Sequence, residues 1–435
     1  MNYVSIVNLV FLIISVLISI YLFHFVFFAI SGIVHKKKFP KTDEKCKYGV
    51  LVSAKDEENV IPRLINSIRD TDYPQDKLDI YIIAHNCTDR TAEVARSLGA
   101  NVIVYNDESA KTLGLAYNYA FKQINIENYD AFIILNADNI VSKNYFDKLN
   151  DAFVYYGKHE ILTTFRHALN IKDGALPAIY GYYFATSCLL SFSGRENFGV
   201  SSRITGCGYA IPIRCLENGW NYLSITEDIE FSADNVLMGN TVRYCDEAIF
   251  YDEQPRKLKT MWNQRLRWAK GQNTVSRKYF GKFFKAMFDK NKKNKMSLYC
   301  ALTFNSFIPL LFLFTSLLQT ILLLMSPLFG VSLQEAFLYW NPDHSWFQNL
   351  FFTLNLGALF NLAKSTVTFF LSAYLVVICV LLASRGKYKD QPKGPLILGF
   401  LLYPLFLALQ FPLDISVLFL RDVKWTKIPH GENKK

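Results

Sequence analysis

A short polar run, Asn136-Ala137-Asp138-Asn139, has the composition of a site for a divalent cation. Carboxylate and amide oxygens are ligands that Mg²⁺ or Mn²⁺ accepts, and such a cation can bridge the phosphates of a diphosphate. The run follows an apolar segment with the pattern of a buried strand, which places Asp138 just beyond a strand end. A turn rich in Asn and Asp also follows strands that bind no metal, and the run taken alone fits that explanation too.

A second acidic run, Thr226-Glu227-Asp228, has the chemistry of a general base. A hydroxyl group is a poor nucleophile near neutral pH, and a carboxylate that accepts its proton makes attack feasible. The preceding turn, Gly206-Cys207-Gly208, allows the backbone to approach a ligand closely. Asp228 is the candidate base, with Glu227 beside it, although the same residues also suit the start of an ordinary helix.

A third run, Gln264-Arg265-Leu266-Arg267-Trp268, lies in a segment with helical spacing. Separations of three and four place Gln264, Arg267 and Trp268 on one helix face. They supply a hydrogen-bonding group, a cation suited to a diphosphate, and a flat apolar surface suited to a sugar ring. An Arg and a Trp anchored at a membrane interface offer the alternative explanation.

The elements that must position these residues are predicted between Tyr48 and Arg166, where short apolar strands alternate with amphipathic helices. The predicted strands are Gly49–Ser53, Leu78–His85, Asn101–Asn106 and Ala131–Asn136, and the predicted helices are Val60–Ser67, Arg90–Leu98 and Leu113–Ile124. A β-like stretch, Thr241–Tyr251, follows in the second half. The alternation predicts an α/β fold with a parallel sheet, in which ligands bind beyond the carboxyl ends of the strands.

Apolar segments long enough to span a bilayer lie on both sides of this α/β domain. Val4–Val34 is nearly uncharged and longer than the roughly 20 residues that a bilayer requires. Six lysines follow it directly: Lys36, Lys37, Lys38, Lys41, Lys45 and Lys47. By the positive-inside rule they place the α/β domain in the cytoplasm of a multi-pass plasma-membrane protein. The net charge of +10 gathers at the ends of apolar segments, which favours contact with anionic lipid over nucleic acid.

Three further apolar segments, about 297–325, 351–383 and 396–420, are each long enough to span. Four spans from an outside N-terminus would leave the C-terminal tail outside, although residues 385–393 and the tail are both basic. A last segment that enters and leaves by the same face would remove this conflict, since Pro404, Pro412 and Asp414 interrupt it. The sequence leaves both topologies open.

These features divide the chain into five regions. They are an N-terminal transmembrane helix (1–35), a cytoplasmic α/β domain (36–255), basic and aromatic interfacial helices (256–296), a membrane region of two to three segments (297–420) and a basic tail (421–435). The interfacial prediction rests on aromatic residues among Lys and Arg, and an ordinary packing helix is the alternative.

The ordered runs resemble those of family 2 glycosyltransferases with the GT-A fold, in particular the membrane-integrated synthases of cellulose, hyaluronan, chitin and poly-N-acetylglucosamine. The resemblance covers nearly the whole chain. Thr226-Glu227-Asp228 and Gln264-x-x-Arg267-Trp268 match the TED and QxxRW motifs of those synthases, about 35 residues apart.

The resemblance implies a role for each matching residue. The nucleotide-sugar donor would contact Ala54, Glu57, His85, Asp89, Lys111, Asn136 and Arg267. Asp138 would hold Mg²⁺ or Mn²⁺, and Asp228 with Glu227 would be catalytic. The acceptor would be bordered by Thr226, Gln264 and Trp268.

The sequence departs from the family's pattern at two places. The acidic pair against the nucleotide base is replaced by Ala84-His85, which weakens the assignment of uridine, and the DxD motif is Asn136-Ala-Asp138, one carboxylate short.

The implied activity is that of an inverting hexosyltransferase, which transfers a sugar from a UDP-sugar or similar donor to a growing β-linked glycan, with export through the membrane or to a partner subunit. Two alternatives stay open: a non-processive enzyme that glycosylates a lipid acceptor, and a catalytically silent subunit that binds nucleotide sugars.

Overall fold

The computed structural model describes residues 3–107, 112–302, 318, 321, 325–330, 357–384 and 386–420. The helices are α1 (Tyr3–Val34), α2 (Ile61–Arg69), α3 (Thr91–Ser97), α4 (Leu113–Gln123), α5 (Tyr145–Tyr155), α6 (Ala175–Ala185), α7 (Ser193–Asn197), α8 (Glu227–Met238), α9 (Leu258–Phe288), α10 (Lys295–Leu302), α11 (Gly357–Ala383), α12 (Lys393–Ala408) and α13 (Gln410–Phe419). The strands are β1 (Tyr48–Ala54), β2 (Leu78–His85), β3 (Asn101–Tyr105), β4 (Ala131–Asn136), β5 (Asn139–Val141), β6 (Ile161–Ala168), β7 (Tyr209–Pro212) and β8 (Val242–Asp252).

The strands form one sheet of eight in the order β3-β2-β1-β4-β7-β6-β8-β5. Strands β3, β2, β1 and β4 are parallel, β7 is antiparallel to β4 and β6, and β5 is antiparallel to β8. The four strands and three helices predicted in the first half are confirmed, with ends that differ by at most two residues, and the β-like stretch is β8.

Helices cover both faces of this sheet because its central strands are apolar on both sides. Val50 and Val52 of β1 face the core beneath α2 and α5, while Leu51, between them, faces the core beneath α4. Burial on both faces is typical of parallel strands with helical crossovers. The packing fixes the carboxyl ends of β1, β2 and β4 at one edge of the domain.

A continuous helical run follows β6. Helices α6 and α7 are joined by a π-helical segment, Thr186–Phe192, and the run packs against α1. Two glycines allow the close contact, since a Cβ on Gly194 would lie 2.0 Å from the Phe28 carbonyl oxygen and one on Gly32 would lie 2.3 Å from the Leu189 oxygen. The N-terminal apolar helix is therefore tightly docked on the α/β domain.

The basic and aromatic region forms one long helix of 31 residues, α9, followed by α10. Its inner face is buried, and Phe280, Phe284 and Phe288 on the outer face are 54%, 54% and 71% exposed. Spacing of four places these rings on one side of the helix.

Three described helical segments are long and apolar enough to cross a membrane: Val16–Val34, Thr366–Ala383 and Lys393–Phe419. The last is built from α12 and α13, joined at Leu409. The predicted segment 297–325 begins in α10 and otherwise lies mostly outside the described residues, as does the basic tail.

Candidate active site

The carboxyl ends of β1, β2 and β4 bring together the residues predicted at strand ends. Ala54 of β1 is paired with Ala84 of β2, and Ser53 is paired with Asn136 of β4. His85 ends β2 and stacks on Tyr105, with ring centroids 5.6 Å apart and planes inclined by 20°. In a parallel sheet this edge is where ligands bind.

The environment of His85 favours a neutral imidazole. Burial lowers the pKa of His85, and the positive charge of Lys55 lowers it further, while Asp107 acts in the opposite direction. A neutral imidazole carries one donor and one acceptor nitrogen, and it can therefore hydrogen-bond to a nucleotide base.

Asp89 ties together the loops that follow β1 and β2. Its carboxylate accepts hydrogen bonds from the backbone N–H of Glu58, at 3.1 Å, and of Thr91, at 2.9 Å. The backbone N–H of Glu57 donates to the Thr91 hydroxyl at 2.8 Å. Glu57 and Asp89 thus lie on neighbouring loops at the same edge as His85.

Asp56, Cys87 and Asp89 form a group whose ligand atoms lie within 4.8 Å of one another, the one such group found among the described residues. Burial raises the pKa of the Cys87 thiol, which keeps it protonated near neutral pH. A thiol is a poor ligand for Mg²⁺, which prefers oxygen. This group is separate from Asp138.

Asp138 lies in a network of charged and polar groups at the junction of β4, β5 and β8. Asn139 donates through Nδ2 to Asp138 Oδ1 at 3.2 Å and to Asp252 Oδ1 at 2.7 Å. Arg166 donates through Nε to Asp252 Oδ2 at 2.9 Å. Burial raises the pKa of Asp138, the Asp252 carboxylate raises it further, and Arg166 lowers it.

The donor set around Asp138 fits a divalent cation. A carboxylate whose charge is disfavoured by burial and by a second carboxylate gains most from a bound cation. The Asp138 carboxylate offers hard oxygen atoms, a ligand type that suits Mg²⁺ or Mn²⁺.

Glu227 and Asp228 begin α8 and are 7% and 8% exposed. Burial and the Asp228 charge raise the pKa of Glu227 to about 8, and burial also raises the pKa of Asp228. The guanidinium of Arg267 lowers the pKa of both carboxyl groups, and a backbone hydrogen bond from Gly206 lowers the pKa of Asp228. The QxxRW arginine therefore faces the acidic pair of the TED motif.

Cys207 lies near both sets of carboxylates, that of Asp138 and Asp252 and that of Asp228. Its buried thiol interacts electrostatically with Arg166, Asp252, Asp138 and Asp228, so that both acidic groups border one region. The turn is held by a hydrogen bond from the Gly208 N–H to the Ile134 carbonyl at 2.8 Å. The backbone at Gly208 has φ +69°, a conformation that favours glycine.

Gln264 and Trp268 lie against α6. The Tyr180 hydroxyl donates to Gln264 Oε1 at 2.9 Å, and the half-buried Trp268 ring meets Tyr180 and Phe184 edge-on, at 6.3 Å and 6.1 Å. Thr226 is buried against Gly271 of α9, where an added Cβ would lie 2.2 Å from Thr226 Cγ2. The close contact brings α9 beside the start of α8.

The structure thus brings most of the predicted residues to one region, and Lys111 lies outside the described residues. Sequence reasoning missed Arg166, Asp252 and Gly271. Asp252 had a usable signal, because it ends a strand whose predicted bound stopped one residue earlier.

Comparisons with known proteins agree with this geometry. A family model described as "Glycosyltransferase like family 2" matches residues 46–271. The probable glycosyltransferase YdaM of Bacillus subtilis is 25% identical over 97% of both chains. A poly-β-1,6-N-acetyl-D-glucosamine synthase of Staphylococcus aureus is 25% identical over 56% of this chain and 58% of its own. The β-monoglucosyldiacylglycerol synthase of a Nostoc species is 24% identical over 51% of this chain and 48% of its own.

Among solved structures, the mannosyltransferase PcManGT of Pyrobaculum calidifontis, in complex with GDP-Man and Mn²⁺, is similar with a TM-score of 0.53 and 14% identity. The similarity covers 87% of this chain and 99% of that one. At this identity the likeness concerns the fold alone, and it supports the predicted GT-A-like α/β domain. Since the family model spans just over half of the 435 residues, the chain belongs to glycosyltransferase family 2.

Proposed function

We propose that this chain is an inverting membrane glycosyltransferase that adds sugars from a nucleoside-diphosphate sugar to a growing β-linked polysaccharide, coupled to outward passage of the product. The observation that supports this most is the buried Glu227–Asp228 pair facing the Arg267 guanidinium. A base and a cation for a departing diphosphate are the two groups that single displacement at a sugar carbon requires.

In the proposed reaction Asp228 accepts the proton of the acceptor hydroxyl. The acceptor oxygen then bonds to C1 of the donor sugar on the side opposite the diphosphate, and the bond between C1 and the diphosphate oxygen breaks. Arg267 binds the departing diphosphate, so that an α-linked donor yields a β-linked product. Glu227, with a pKa raised to about 8, holds a proton at neutral pH and leaves the pair with one negative charge.

The donor would lie along the ends of β1, β2 and β4. His85 can hydrogen-bond to the nucleotide base, with Ala54, Glu57 and Asp89 on the flanking loops. Lys111 stays a sequence-based prediction for the phosphates. UDP-sugars are the first donors to test, because the imide of uracil offers both a hydrogen-bond donor and a hydrogen-bond acceptor to a neutral imidazole.

Asp138, with Asn136 beside it, would hold Mg²⁺ or Mn²⁺. Bound there, the cation would supply positive charge that stabilises the departing diphosphate. Arg166 and Asn139 both donate to the Asp252 carboxylate, whereas Asn139 alone of these two donates to Asp138, which follows the end of β4.

The acceptor would lie beside Thr226, Gln264 and Trp268, where an aromatic surface and an amide adjoin the acidic pair. A polysaccharide acceptor agrees with the TED and QxxRW motifs and with the S. aureus relative, which is a poly-β-1,6-N-acetyl-D-glucosamine synthase by name. A lipid acceptor is the second candidate, favoured by the Nostoc relative, whose name is that of a glucosyldiacylglycerol synthase.

Membrane placement is supported by the three apolar helical segments and by the exposed phenylalanines of α9. A row of aromatic rings on one side of a basic helix is typical of a helix at the membrane surface. The α/β domain would then lie on the cytoplasmic face, between α1 and the later apolar helices.

The test is transfer by the detergent-purified full chain, given a panel of radiolabelled nucleotide sugars with Mn²⁺ or Mg²⁺. We expect one donor to be consumed, with Asp228→Asn reducing turnover at least about a hundredfold, as expected for loss of a general base.

The metal is tested in the same assay. EDTA should abolish turnover, and Asp138→Asn should raise the Mn²⁺ concentration needed for half-maximal rate. Arg277→Gln, at an exposed arginine far along α9, is the matched control and should behave as wild type.

Product size separates the alternatives. A long, glycosidase-sensitive polymer supports the synthase, and a lipid carrying one sugar supports the lipid-acceptor enzyme. Binding of a nucleotide sugar by folded wild type without any transfer would overturn both and leave the silent subunit.

A further inference from the structure

A cavity of about 360 Å³ lies between the α/β domain and the apolar helices, outside the donor site described above. Its walls are the π-helical segment, α1, α8, α10 and α11, and its surface is mostly apolar. On α8 it is lined by Ile229, Ser232 and Val236, which share one helix face. Ile229 directly follows Asp228 in α8, although neighbouring residues of a helix point in different directions.

Two arginines, Arg195 and Arg203, give this apolar cavity a positive charge. Arg195 is only 7% exposed, and its Nε has no hydrogen-bond partner in the described part of the chain. Its Nη1 donates to the Ser201 carbonyl at 3.4 Å, which is a long hydrogen bond. The hydroxyl of Ser202, also at the cavity, is buried without a partner among the described residues.

No described carboxylate lies within ion-pair distance of either arginine. Burial lowers the pKa of Arg195, the nearby Cys300 raises it, and the positive charge of Arg203 lowers it. A buried guanidinium without a counter-charge is costly, and an anion at this point would relieve both the desolvation and the repulsion. Arginine binds phosphate and carboxylate groups through paired N–H groups, and phosphate is the anionic group that membrane lipids commonly carry.

The depth of the cavity suits an amphiphile. Phe25, Val26 and Ala29 of α1 line it, and Phe25 precedes the end of α1 at Val34 by nine residues. At about 1.5 Å per residue this is roughly 14 Å along the helix. With α1 across the bilayer, as under the proposed function, the cavity residues of α1 would lie roughly 8 to 14 Å from the end of the helix, within a hydrocarbon half-thickness of about 15 Å.

We propose that this cavity binds a membrane lipid with a phosphate head group, with the phosphate against Arg195 and Arg203 and an acyl chain between α1 and α8. Hydroxyl groups also line the cavity, but its exposed wall surface is mostly apolar, which suits an acyl chain better than a sugar polymer. The proposal depends on the membrane placement of α1 but not on the transfer reaction, and binding can be measured without a donor.

The experiment measures binding to the full chain in a neutral maltoside detergent by native mass spectrometry. The probes are dioctanoyl phosphatidic acid, dioctanoylglycerol, which has the same chains without phosphate, and inorganic phosphate. We expect saturable binding of phosphatidic acid, at least tenfold weaker binding of dioctanoylglycerol, and no competition by inorganic phosphate at similar concentration. Equal binding of phosphatidic acid and dioctanoylglycerol, or full competition by inorganic phosphate, would overturn the proposal.

The variants localise the binding. Arg203→Gln, at a half-buried side chain, should weaken phosphatidic acid binding at least tenfold, and Ala233→Leu, which narrows the apolar part, should do the same without a change of charge. Arg277→Gln removes an exposed arginine elsewhere and should leave binding unchanged. Unaltered binding by folded Arg203→Gln and Ala233→Leu would place the lipid elsewhere. Transfer without lipid binding refutes this inference alone, and lipid binding without transfer refutes the proposed function alone.

Discussion

At the scale of single residues, the protons on Glu227 and Asp228 decide which carboxylate can act as the base. Two adjacent buried carboxylates do not both ionise easily, and the pKa of Glu227 is raised to about 8. Asp228 receives a backbone hydrogen bond from Gly206, which favours its charged form. The pKa of Glu227 is raised to about 8, and the charged form of Asp228 is stabilised by Gly206 and Arg267, in agreement with the proposed role of Asp228.

The first prediction concerns the pH dependence of transfer. The pKa of Asp228 is raised by burial and lowered by Arg267, and only the ionised form accepts a proton. The rate should therefore rise with pH through a value above the ordinary range of an aspartate. Arg267→Gln removes the positive charge, raises the pKa of Asp228, and should move this acidic limb to higher pH, in addition to lowering the rate.

The measurement is kcat/KM between about pH 5 and 9 with labelled donor, at a protein concentration raised to offset the lower rate of the variant. Lys270→Gln, which removes a positive charge one turn away on α9, is the control and should keep the wild-type limb. A limb at the same pH in Arg267→Gln and wild type would show that Arg267 does not act on the base.

Sequence reasoning found the site residues that belong to short local runs and missed those defined by long-range packing. Asp138 and Asp228 follow from runs of polar residues after a strand and before a helix. Arg166 and Asp252 are 86 residues apart, and only the pairing of β6 with β8 brings them together. No local periodicity predicts such a contact.

At the scale of elements, the approach of α9 to α8 sets the geometry between the acidic pair and Arg267. Gly271 lies one turn beyond Arg267 and is in direct contact with Thr226, which precedes the acidic pair. The absence of a Cβ at this position lets the two helices approach, which no feature of the motifs themselves predicts.

The second prediction is that Gly271→Ala separates these helices. Its Cβ would lie 2.2 Å from Thr226 Cγ2 and 2.5 Å from Oγ1, and a buried β-branched side chain has little freedom to move. We expect a loss of stability of about 1–3 kcal/mol from overpacking. A displacement of about 1 Å at Arg267 should lower kcat/KM by about a hundredfold.

Gly281→Ala, on the same helix, is the matched control, because no atom of the described residues lies within 4 Å of its added Cβ. It should keep full activity and raise stability by up to about 1 kcal/mol, as Ala does in a helix interior. Thermal unfolding and kcat/KM are measured for both variants. Wild-type values for Gly271→Ala would mean that the close contact is dispensable.

The elements of the first half were predictable because the strand and helix periodicities are strong there. In the later regions the sequence was less informative. The expected interfacial helices are one long α9, since no proline interrupts Leu258–Phe288. The π-helical segment within Thr186–Phe192 has no signal in the polar and apolar pattern.

At the scale of the whole molecule, the carboxylate of Asp246 holds the carboxyl ends of two apolar helices, α1 and α11, next to the α/β domain. Lys36, after α1, and Lys387, after α11, both contact Asp246 of β8, at 3.2 Å and 3.3 Å. The carboxyl ends of both helices therefore lie next to the α/β domain. Burial raises the pKa of Asp246, but the positive charges of Lys387 and Lys36 outweigh this and lower it, so the carboxylate stays charged beside the two lysines.

The last apolar segment contacts the α/β domain and α9 along its length. The Tyr182 hydroxyl donates to the Leu396 carbonyl at 3.0 Å, near the start of α12, and Lys270 donates to the Leu420 carbonyl, after α13. Between them, Arg265 donates to the Phe406 carbonyl at 2.8 Å. Contacts with α6 and α9 at both ends favour the topology in which this segment enters and leaves by the same face.

The third prediction follows from these contacts: the C-terminus should lie on the same side of the membrane as the α/β domain. An epitope added after Lys435 is probed with protease in inside-out vesicles and in spheroplasts. The control is the same epitope between Lys389 and Asp390, which are exposed and close to the Lys387–Asp246 ion pair. We expect both epitopes to be cut in inside-out vesicles and protected in spheroplasts, because charged segments at both ends of α12–α13 would remain in the cytoplasm. Cleavage of the C-terminal epitope only in spheroplasts, with the control cut only in inside-out vesicles, would show that the last segment crosses the membrane.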